Sequence, residues 1–281
     1  MSTYNQLIHL YRKQFIEKGL SSNLMKAFLY ELCNDENVNL YYDIDLEAKA
    51  SIESKYIEGV RRLLNDEPMN YVLGYSYFYG YKFIVNKDVL IPRPETEELV
   101  GLILSKYDEY FKDRRINICD VGTGSGAIAI ALKKEESKLN VFASDISLKA
   151  LEVAKENAIK NKAEINFLSG SMLEPYIEKK IKVDILVSNP PYIKNDENLE
   201  SSVIDYEPHV ALFGGDDGLK FYREILSNSK VILNEKGFIF FEMGFDQALN
   251  LTNLAKIYYP NSDVEVFKDI NGKDRMLMIK I

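Results

Sequence analysis

The stretch INICDVGTGSGAIAIALKK, residues 116–134, decides the fold, because its pattern changes at three closely spaced glycines. The apolar run before the glycines is typical of a buried strand, and the alanine-rich run after them is typical of a helix. Gly122, Gly124 and Gly126 allow a tight turn and let a ligand approach the backbone closely. The order of strand, glycine turn and helix therefore predicts a ligand-binding βα unit.

Strands and helices continue to alternate after this unit. Four apolar runs of strand length and two amphipathic runs of helix length follow it, namely residues 140–144, 164–169, 184–188 and 237–243 and residues 148–160 and 218–233. This alternation predicts an α/β fold with a mostly parallel, doubly wound sheet. Asn271 and Gly272 lie between two short apolar runs near the end of the chain and predict a hairpin, so the last strand is expected to be antiparallel.

The residues before the glycine turn have a different pattern. Leu7, Phe15 and Phe28 are among the apolar residues that recur at helical spacing, which predicts a small N-terminal helical bundle. Gly74, Gly80 and many aromatic residues follow and predict extended or hairpin structure. We therefore predict three segments, a helical domain at residues 1–73, a β-hairpin linker at residues 74–92 and an α/β domain at residues 93–281.

Composition limits the classes of partner. The chain has 281 residues, of which 46% are hydrophobic, and a formal net charge of −8. Direct binding to nucleic acid is not expected, because phosphate contacts need clustered Lys and Arg. Cys33 and Cys119 are far apart, and Cys119 falls in an apolar run, which favours buried reduced thiols and a cytoplasmic protein. No run reaches the ~18 apolar residues of a membrane span, so no membrane association is expected.

Acidic residues accompany the glycine turn. Asp145 follows the next strand about twenty residues further on, where a carboxylate accepts hydrogen bonds from ribose hydroxyls. Gly122, Gly124 and Ala127 also satisfy the dinucleotide pattern, so the glycines alone leave the cofactor open. Asp120 favours S-adenosylmethionine, because its charge would repel a pyrophosphate. The predicted cofactor site consists of Asp120, Gly122, Thr123, Gly124, Ser125, Gly126 and Asp145.

The tetrapeptide NPPY, residues 189–192, directly follows a predicted buried strand. Its prolines end the strand and stiffen the backbone. The side-chain oxygen of Asn189 and the carbonyl oxygen of Pro190 can hold both N–H bonds of a planar amide, and Tyr192 can stack on it. If strands 116–121 and 184–188 are neighbours, this corner faces the glycine turn. We predict Asn189, Pro190 and Tyr192 as catalytic residues, with Pro191 completing the substrate site.

No strong base is required before transfer to such an amide. A sulfonium methyl is already activated, and the proton of the nitrogen can leave afterwards. His9 lies in the helical region, and His209 is the only other histidine of the sequence. We expect structural or surface roles for both histidines, and we expect no metal site.

These motifs together resemble the protein-(glutamine-N5) methyltransferases that modify peptide chain release factors. NPPY alone is shared with methyltransferases that act on DNA adenine. More specific parts of the resemblance are LIPRPETE at residues 90–97, EPHVALFGGDDGL at residues 207–219, FEMG at residues 241–244 and GKDRM at residues 272–276. The resemblance covers most of the chain.

The resemblance implies a class I (Rossmann-like) S-adenosylmethionine-dependent methyltransferase domain with a seven-stranded sheet. It also implies that the N-terminal helical domain recognises the release factor, whose Gly-Gly-Gln glutamine would be methylated on N5. Asn189 would contact both cofactor and substrate, and residues 189–192 would hold the glutamine amide. Glu95 and Thr96 would close the site, although Glu95 is equally explained as a helix-start carboxylate. A cytoplasmic monomer is expected, although the sequence does not determine the oligomeric state.

One position departs from the family. Where relatives often carry Asp followed by an aromatic residue after the third strand, this chain has Ser171 and Met172. We predict that Ser171 accepts a hydrogen bond from the adenine and that Met172 packs on its ring.

Three other functions remain open at this stage. An adenine N6-methyltransferase acting on nucleic acid is the main alternative, because an exocyclic amine is as planar as a carboxamide. The net charge weighs against it, as does the lack of a basic recognition domain. A catalytically silent adaptor for release factors and a dehydrogenase are the others, and only the ambiguous glycines favour the dehydrogenase.

Overall fold

The computed structural model describes residues 2–281. Its contacts divide the chain into two units. The first comprises the residues up to Tyr75 together with Glu200–Tyr206, and the second comprises Ser76–Leu199 and Glu207–Ile281.

The helices and strands of residues 2–281 follow in chain order. The helices are α1 Tyr4–Leu10, α2 Arg12–Glu17, α3 Ser22–Asp35, α4 Leu40–Asp43, α5 Ala50–Leu63, α6 Met69–Leu73, α7 Pro94–Phe111, α8 Ala127–Glu135, α9 Leu148–Asn161, α10 Glu174–Glu178, α11 Ser201–Tyr206, α12 Lys220–Ile232 and α13 Ala248–Tyr258. The strands are β1 Tyr75–Phe78, β2 Tyr81–Ile84, β3 Ile116–Val121, β4 Leu139–Asp145, β5 Asn166–Ser169, β6 Val183–Ser188, β7 Leu233–Glu242, β8 Asp263–Lys268 and β9 Asp274–Lys280.

The first unit is helical, as the apolar spacing predicts. Its core holds Phe28 of α3 stacked on Tyr56 of α5, with ring centroids 5.9 Å apart. Gly59 lets the two helices pack closely, because a Cβ at this position would lie 2.2 Å from the Phe28 ring. Helix α11 belongs to this unit despite its late position in the sequence, and the Tyr206 hydroxyl donates a hydrogen bond to the Asn65 carbonyl at 2.6 Å.

The second unit is built on a seven-stranded sheet of order β5-β4-β3-β6-β7-β9-β8. Strand β9 runs antiparallel to both of its neighbours, and the other pairings of the sheet are parallel. The turn that joins β8 to β9 contains Asn271 and Gly272, and Gly272 has a φ of 78°. The predicted fold class is therefore confirmed, including the hairpin and the antiparallel last strand. Strands β1 and β2 form the separate two-stranded hairpin.

Helices cover both faces of the sheet. Alternate residues of a central strand face opposite layers, because side chains of a strand point alternately to its two sides. Ile185 and Val187 of β6 pack in one cluster with α7 and α8, and Leu186 packs in the other with α12 and α13. All three are fully buried. Strands buried on both faces explain the nearly continuous apolar runs in the sequence.

The strand order reverses beside β3. The chain moves from β3 to β4 and β5 on one side, and β6 then pairs with the other side of β3. Ligands of open α/β sheets bind beyond the carboxyl ends of the strands at such a reversal. Here these ends are Val121 and Ser188, so the glycine turn and NPPY begin at the same edge.

Candidate active site at the carboxyl ends of the central strands

A cleft of about 360 Å³ lies at this edge of the second unit. The predicted site residues that line it are Gly122, Gly124, Asp145, Ser171, Met172, Asn189 and Pro191. The structure thus brings the glycine turn, the carboxylate after β4 and two residues of the corner at 189–192, Asn189 and Pro191, around one space.

The glycine turn leaves room for a ligand beside its backbone. Gly122, Gly124 and Gly126 have φ values of 75°, 55° and 82°, which disfavour residues with a Cβ. A Cβ on Gly122 or Gly124 would have no atom within 4 Å, whereas a Cβ on Gly126 would lie 3.2 Å from the Ala154 Cβ. The first two glycines therefore face open space in the cleft, and the third allows α8 and α9 to pack together.

Asp145 is held in place by backbone donors. Its Oδ2 accepts from the Gly124 N–H at 2.9 Å, and its Oδ1 accepts from the Ser147 N–H at 2.9 Å. Burial raises the pKa of Asp145, and these N–H groups oppose the rise by stabilising the charged form. Each carboxylate oxygen has a second lone pair, so the side chain can also accept hydrogen bonds from a ligand.

Other predicted cofactor residues lie behind the turn rather than in the cleft. Asp120 is only 1% exposed, and its Oδ2 accepts from the Thr123 hydroxyl at 2.6 Å. Burial raises the pKa of Asp120 to about 7. Ser125 is also buried, and its carbonyl accepts from Asn157 Nδ2 at 2.9 Å. In this structure the Asp120 side chain and the Ser125 carbonyl support the shape of the loop.

The NPPY corner is braced by another loop. Asn189 and Pro191 line the cleft, whereas Pro190, which is buried, and Tyr192, which is half-buried, do not. The Tyr192 carbonyl accepts from Gln247 Nε2 at 3.0 Å. A Cβ on Gly214 would lie 2.5 Å from the Pro191 carbonyl oxygen. The backbone at Gly214, in the segment before α12, therefore lies directly against the corner.

The family-specific motifs meet through polar contacts that are buried or partly buried. Arg93 Nη2 lies 2.5 Å from Glu207 Oε1, which joins the LIPRPETE motif to the EPHVALFGGDDGL motif. The Thr96 hydroxyl donates to Glu242 Oε2 at 2.6 Å, which joins LIPRPETE to FEMG. Asn189 Nδ2 in turn donates to Thr96 Oγ1 at 3.3 Å. Thr96 therefore contacts the corner directly, and Glu95 precedes it in the same first turn of α7.

Ser171 and Met172 line the cleft with residues that the sequence reasoning did not assign to the site. Met172 has a φ of 42°, and Ser171 Oγ donates to Glu224 Oε1 at 3.3 Å. The additional lining residues are Asp88, Val89, Leu90, Ile146, Ser147, Ala150, Gly170, Pro208, Val210, Ala211, Lys220, Phe221 and Glu224. Leu90, Pro208, Val210 and Ala211 belong to the family-specific motifs, which were the available signal for them, whereas Asp88 and Val89 lie just before the first motif.

The cleft carries more acid than base. Asp88, Asp145 and Glu224 line it together with one lysine, Lys220. A cationic ligand suits this surface better than a pyrophosphate does. Within residues 2–281, no cluster of three or more His, Cys, Asp or Glu side chains is arranged to hold a metal ion. Over the same residues, each helix is too short or too polar to cross a bilayer.

Comparisons with known proteins agree with this geometry. A family model described as Methyltransferase small domain matches residues 102–206. The chain is 39% identical over 267 residues to the release factor glutamine methyltransferase of Bacillus anthracis, covering 94% of each chain. It is 36% identical over 278 residues to the enzyme of the same name from Staphylococcus aureus, covering 98% of this chain and 97% of that one. A solved methyltransferase from Pyrococcus furiosus, 17% identical, has the same fold with a TM-score of 0.52 over 79% of this chain and 98% of its own.

Proposed function

The chain belongs to the release factor glutamine methyltransferase family and is an S-adenosylmethionine-dependent methyltransferase, and we propose that it methylates N5 of the glutamine in the Gly-Gly-Gln motif of peptide chain release factors. One observation carries the chemistry. Asn189 and Pro191 of the rigid corner share a single cleft with Gly122, Gly124 and Asp145. A cofactor held by the turn and an amide held by the corner would therefore meet.

The residues of the cleft suit S-adenosylmethionine. Its bound sulfonium would supply an activated methyl group to a nitrogen placed in line with the sulfur–carbon bond. Gly122 and Gly124 leave space beside the backbone, and Asp145 would accept hydrogen bonds from ribose hydroxyls with its remaining lone pairs. We propose that Ser171 and Met172 contact the adenine, since both line the same cleft. Thr123, Ser125 and Gly126 would support the turn from behind.

The corner would orient the substrate. We propose that Asn189 Oδ1 accepts one N–H of the glutamine amide and that the Pro190 carbonyl accepts the other. The two prolines limit the backbone freedom of this corner, so little orientation entropy is lost during the reaction. Tyr192 lies outside the cleft in this structure, and its stacking on the planar group remains a proposal. The amide proton leaves after transfer, so a strong base is not required at the corner.

A labelling assay tests this proposal. The purified chain is incubated with methyl-labelled S-adenosylmethionine and, separately, with a release factor, its variant with Ala in place of the Gly-Gly-Gln glutamine, and duplex DNA. We expect label on the unmodified release factor alone. Label on DNA would favour the adenine methyltransferase alternative, and equal label on the variant would exclude this glutamine as the acceptor. Cofactor binding without any transfer would favour the adaptor.

Asp145→Ala is expected to weaken the binding of S-adenosylmethionine rather than to slow the methyl transfer. Hydrogen bonds to a charged group contribute about 1.5–3 kcal/mol, so the Kd for S-adenosylmethionine should rise roughly 10- to 100-fold. The kcat at saturating cofactor should change much less. Isothermal titration calorimetry measures the Kd, and Asp263→Ala, an exposed carboxylate of β8, is the matched control. An unchanged Kd for S-adenosylmethionine in Asp145→Ala would show that Asp145 does not bind the ribose.

The remaining parts of the proposal concern organisation and location. We propose that residues 1–73 recognise the release factor, that residues 74–92 link this domain to the rest, and that residues 93–281 carry the catalytic domain. We propose a cytoplasmic protein, since Cys33 and Cys119 are both free and buried, and we propose that it is a monomer. The net charge of −8 suits a basic docking region on the partner. Complex formation should then weaken as the salt concentration rises.

A further inference from the structure

A chain of hydrogen bonds runs from Asn189 into the interior of the second unit. Asn189 Nδ2 donates to Thr96 Oγ1 at 3.3 Å, and the Thr96 hydroxyl donates to Glu242 Oε2 at 2.6 Å. Thr96 is 5% exposed and Glu242 is 2% exposed, so both groups are screened from water. The three residues come from separate elements, since Thr96 lies in α7, Glu242 ends β7 and Asn189 follows β6.

The number of protons shared by Glu242, Thr96 and Asn189 determines which way the Asn189 amide faces. A threonine hydroxyl has one proton to donate. While Glu242 is a carboxylate it can only accept, so the Thr96 proton points to Glu242 and Thr96 can only accept from Asn189. The amide must therefore turn its nitrogen inward. Because Asn189 also lines the cleft, its oxygen is left to face the ligand space.

We propose that Glu242 is a positioning residue that, acting through Thr96, orients the Asn189 amide with its oxygen toward the methyl acceptor. The inference rests on the proposed function, because the oxygen matters only if it accepts an N–H from the substrate. It adds two residues to the reaction, neither of which needs to touch the substrate. It also predicts how the reaction depends on pH.

Protonation of Glu242 would reverse the direction in which the hydrogen bonds between Glu242, Thr96 and Asn189 are donated. A protonated Glu242 can donate to Thr96, and the Thr96 proton can then be donated toward Asn189. The Asn189 oxygen would be drawn inward to accept it, and its NH₂ group would face the substrate amide. Two donors would then oppose each other, so the orienting contact would be lost. Activity should therefore fall as the pH is lowered through the pKa of Glu242.

The groups around Glu242 place this transition near neutral pH. Burial raises the pKa of Glu242 to about 7, and Glu95 of α7 adds to the rise by repulsion. The hydrogen bond from Thr96 opposes the rise most, followed by the attraction of Arg275 of β9 and by the Asn189 amide, whose nitrogen faces inward. Tyr192 and Tyr222 of α12 also face the carboxylate, and the Tyr222 hydroxyl donates to the Glu242 carbonyl at 2.7 Å.

Kinetics of variants test the chain of hydrogen bonds. Thr96→Val keeps the shape and removes the hydroxyl, so kcat should fall roughly tenfold or more, as expected for the loss of one orienting hydrogen bond. The KM for S-adenosylmethionine should stay unchanged. Thr96→Ser restores the hydroxyl and should recover kcat to within about twofold. In the wild-type enzyme and in Thr96→Ser, kcat should drop on the acid side with a midpoint near pH 7, whereas Glu242→Gln should lack this step.

A matched control separates positioning from stability. Ser229 is 0% exposed, and its hydroxyl lies 2.6 Å from the Tyr259 hydroxyl on the side of the sheet covered by α12. Ser229→Ala should lower the unfolding temperature yet keep the wild-type pH profile. A pH profile altered to the same degree in Ser229→Ala would overturn the inference. So would equal kcat in Thr96→Val and Thr96→Ser, or an acid step retained in Glu242→Gln.

Nuclear magnetic resonance provides a readout that needs no methyl acceptor. The side-chain amide signals of Asn189, identified by their absence from Asn189→Ala, should shift with a midpoint near pH 7 in the wild type and stay constant in Glu242→Gln. This shift without release factor methylation would support the inference and refute the proposed substrate. Release factor methylation without the shift would support the proposed substrate and refute the inference.

Discussion

Replacing Asn189 with alanine is expected to abolish most methyl transfer while leaving the protein folded. Loss of one preorganised hydrogen-bond partner at a reacting group typically lowers kcat by about 10²–10³-fold. The acceptor matters most in the transition state, so the loss should appear in kcat rather than in binding. The cofactor contacts of Gly122, Gly124 and Asp145 remain, and the Kd for S-adenosylmethionine should therefore rise by less than about tenfold.

Two measurements and one control decide this result. Single-turnover methylation of the release factor gives the rate of transfer, and calorimetry gives the cofactor Kd. The control is Asn228→Ala, which removes an exposed asparagine of α12. The Asn228 side chain donates hydrogen bonds within its own helix, to the Glu224 carbonyl at 3.0 Å and to the Ser227 hydroxyl at 3.1 Å. This variant should behave as the wild type. Unchanged turnover in Asn189→Ala would exclude Asn189 from the mechanism.

Gly214→Ala is expected to impair transfer without changing any side chain of the cleft. The added Cβ would lie 2.5 Å from the Pro191 carbonyl oxygen, 2.8 Å from the Tyr192 Cα and 2.9 Å from the Gly218 carbonyl oxygen. All three are backbone atoms, so a rotamer change cannot relieve the overlap, and the corner must move. A displacement of about 1 Å at a reacting group can lower the rate roughly 10²-fold. Overpacking should also lower the free energy of unfolding by about 1–3 kcal/mol.

A second glycine provides the matched control for this substitution. Gly101 lies within α7, where a Cβ would have only the Tyr79 hydroxyl nearby, at 3.9 Å. Gly101→Ala should therefore leave kcat unchanged and raise the free energy of unfolding by about 0.5–1 kcal/mol, because alanine favours the helix. Both variants are compared by denaturant unfolding and by single-turnover methylation. Wild-type turnover in a destabilised Gly214→Ala would show that the position of the corner is not critical.

The sheet could be predicted from the sequence because its signals are local. The apolar runs at β3 and β6 are each followed by turn residues, and the rule for parallel sheets places the ends of such strands at one edge. That the two strands pair directly was only an assumption at the level of the sequence, and the structure shows it, with Asp120 opposite Val187. The hairpin at Asn271 and Gly272 is likewise a two-residue signal with a known geometry.

The buried contacts of the site could not be predicted because they join distant parts of the chain. Thr96 and Glu242 are 146 positions apart, and Arg93 and Glu207 are 114 apart. Nothing in the spacing of either pair indicates a contact. The only signal was that all four residues belong to motifs of the family resemblance. The structure gives a physical reason for those motifs, because one pair joins α7 to the end of β7 and the other joins the start of α7 to the segment that begins at Glu207.

The position of Asp120 also required the structure. Its place just before the glycines suggested a carboxylate exposed to the cofactor, yet the side chain is 1% exposed and binds the Thr123 hydroxyl. The direction of a side chain at the end of a strand depends on how the following loop folds. Its contact with the cofactor remains a prediction, and support of the loop is the role that the geometry provides.

A crystal structure of the enzyme with S-adenosylhomocysteine and an unmethylated release factor tests the central claim most directly. The claim is that a rigid corner holds the glutamine amide in line with the methyl donor. We predict that the amide nitrogen lies about 2.7–3.2 Å from both Asn189 Oδ1 and the Pro190 carbonyl oxygen and faces the cofactor sulfur. A glutamine held by other residues, with the corner turned away from the nucleoside, would contradict it.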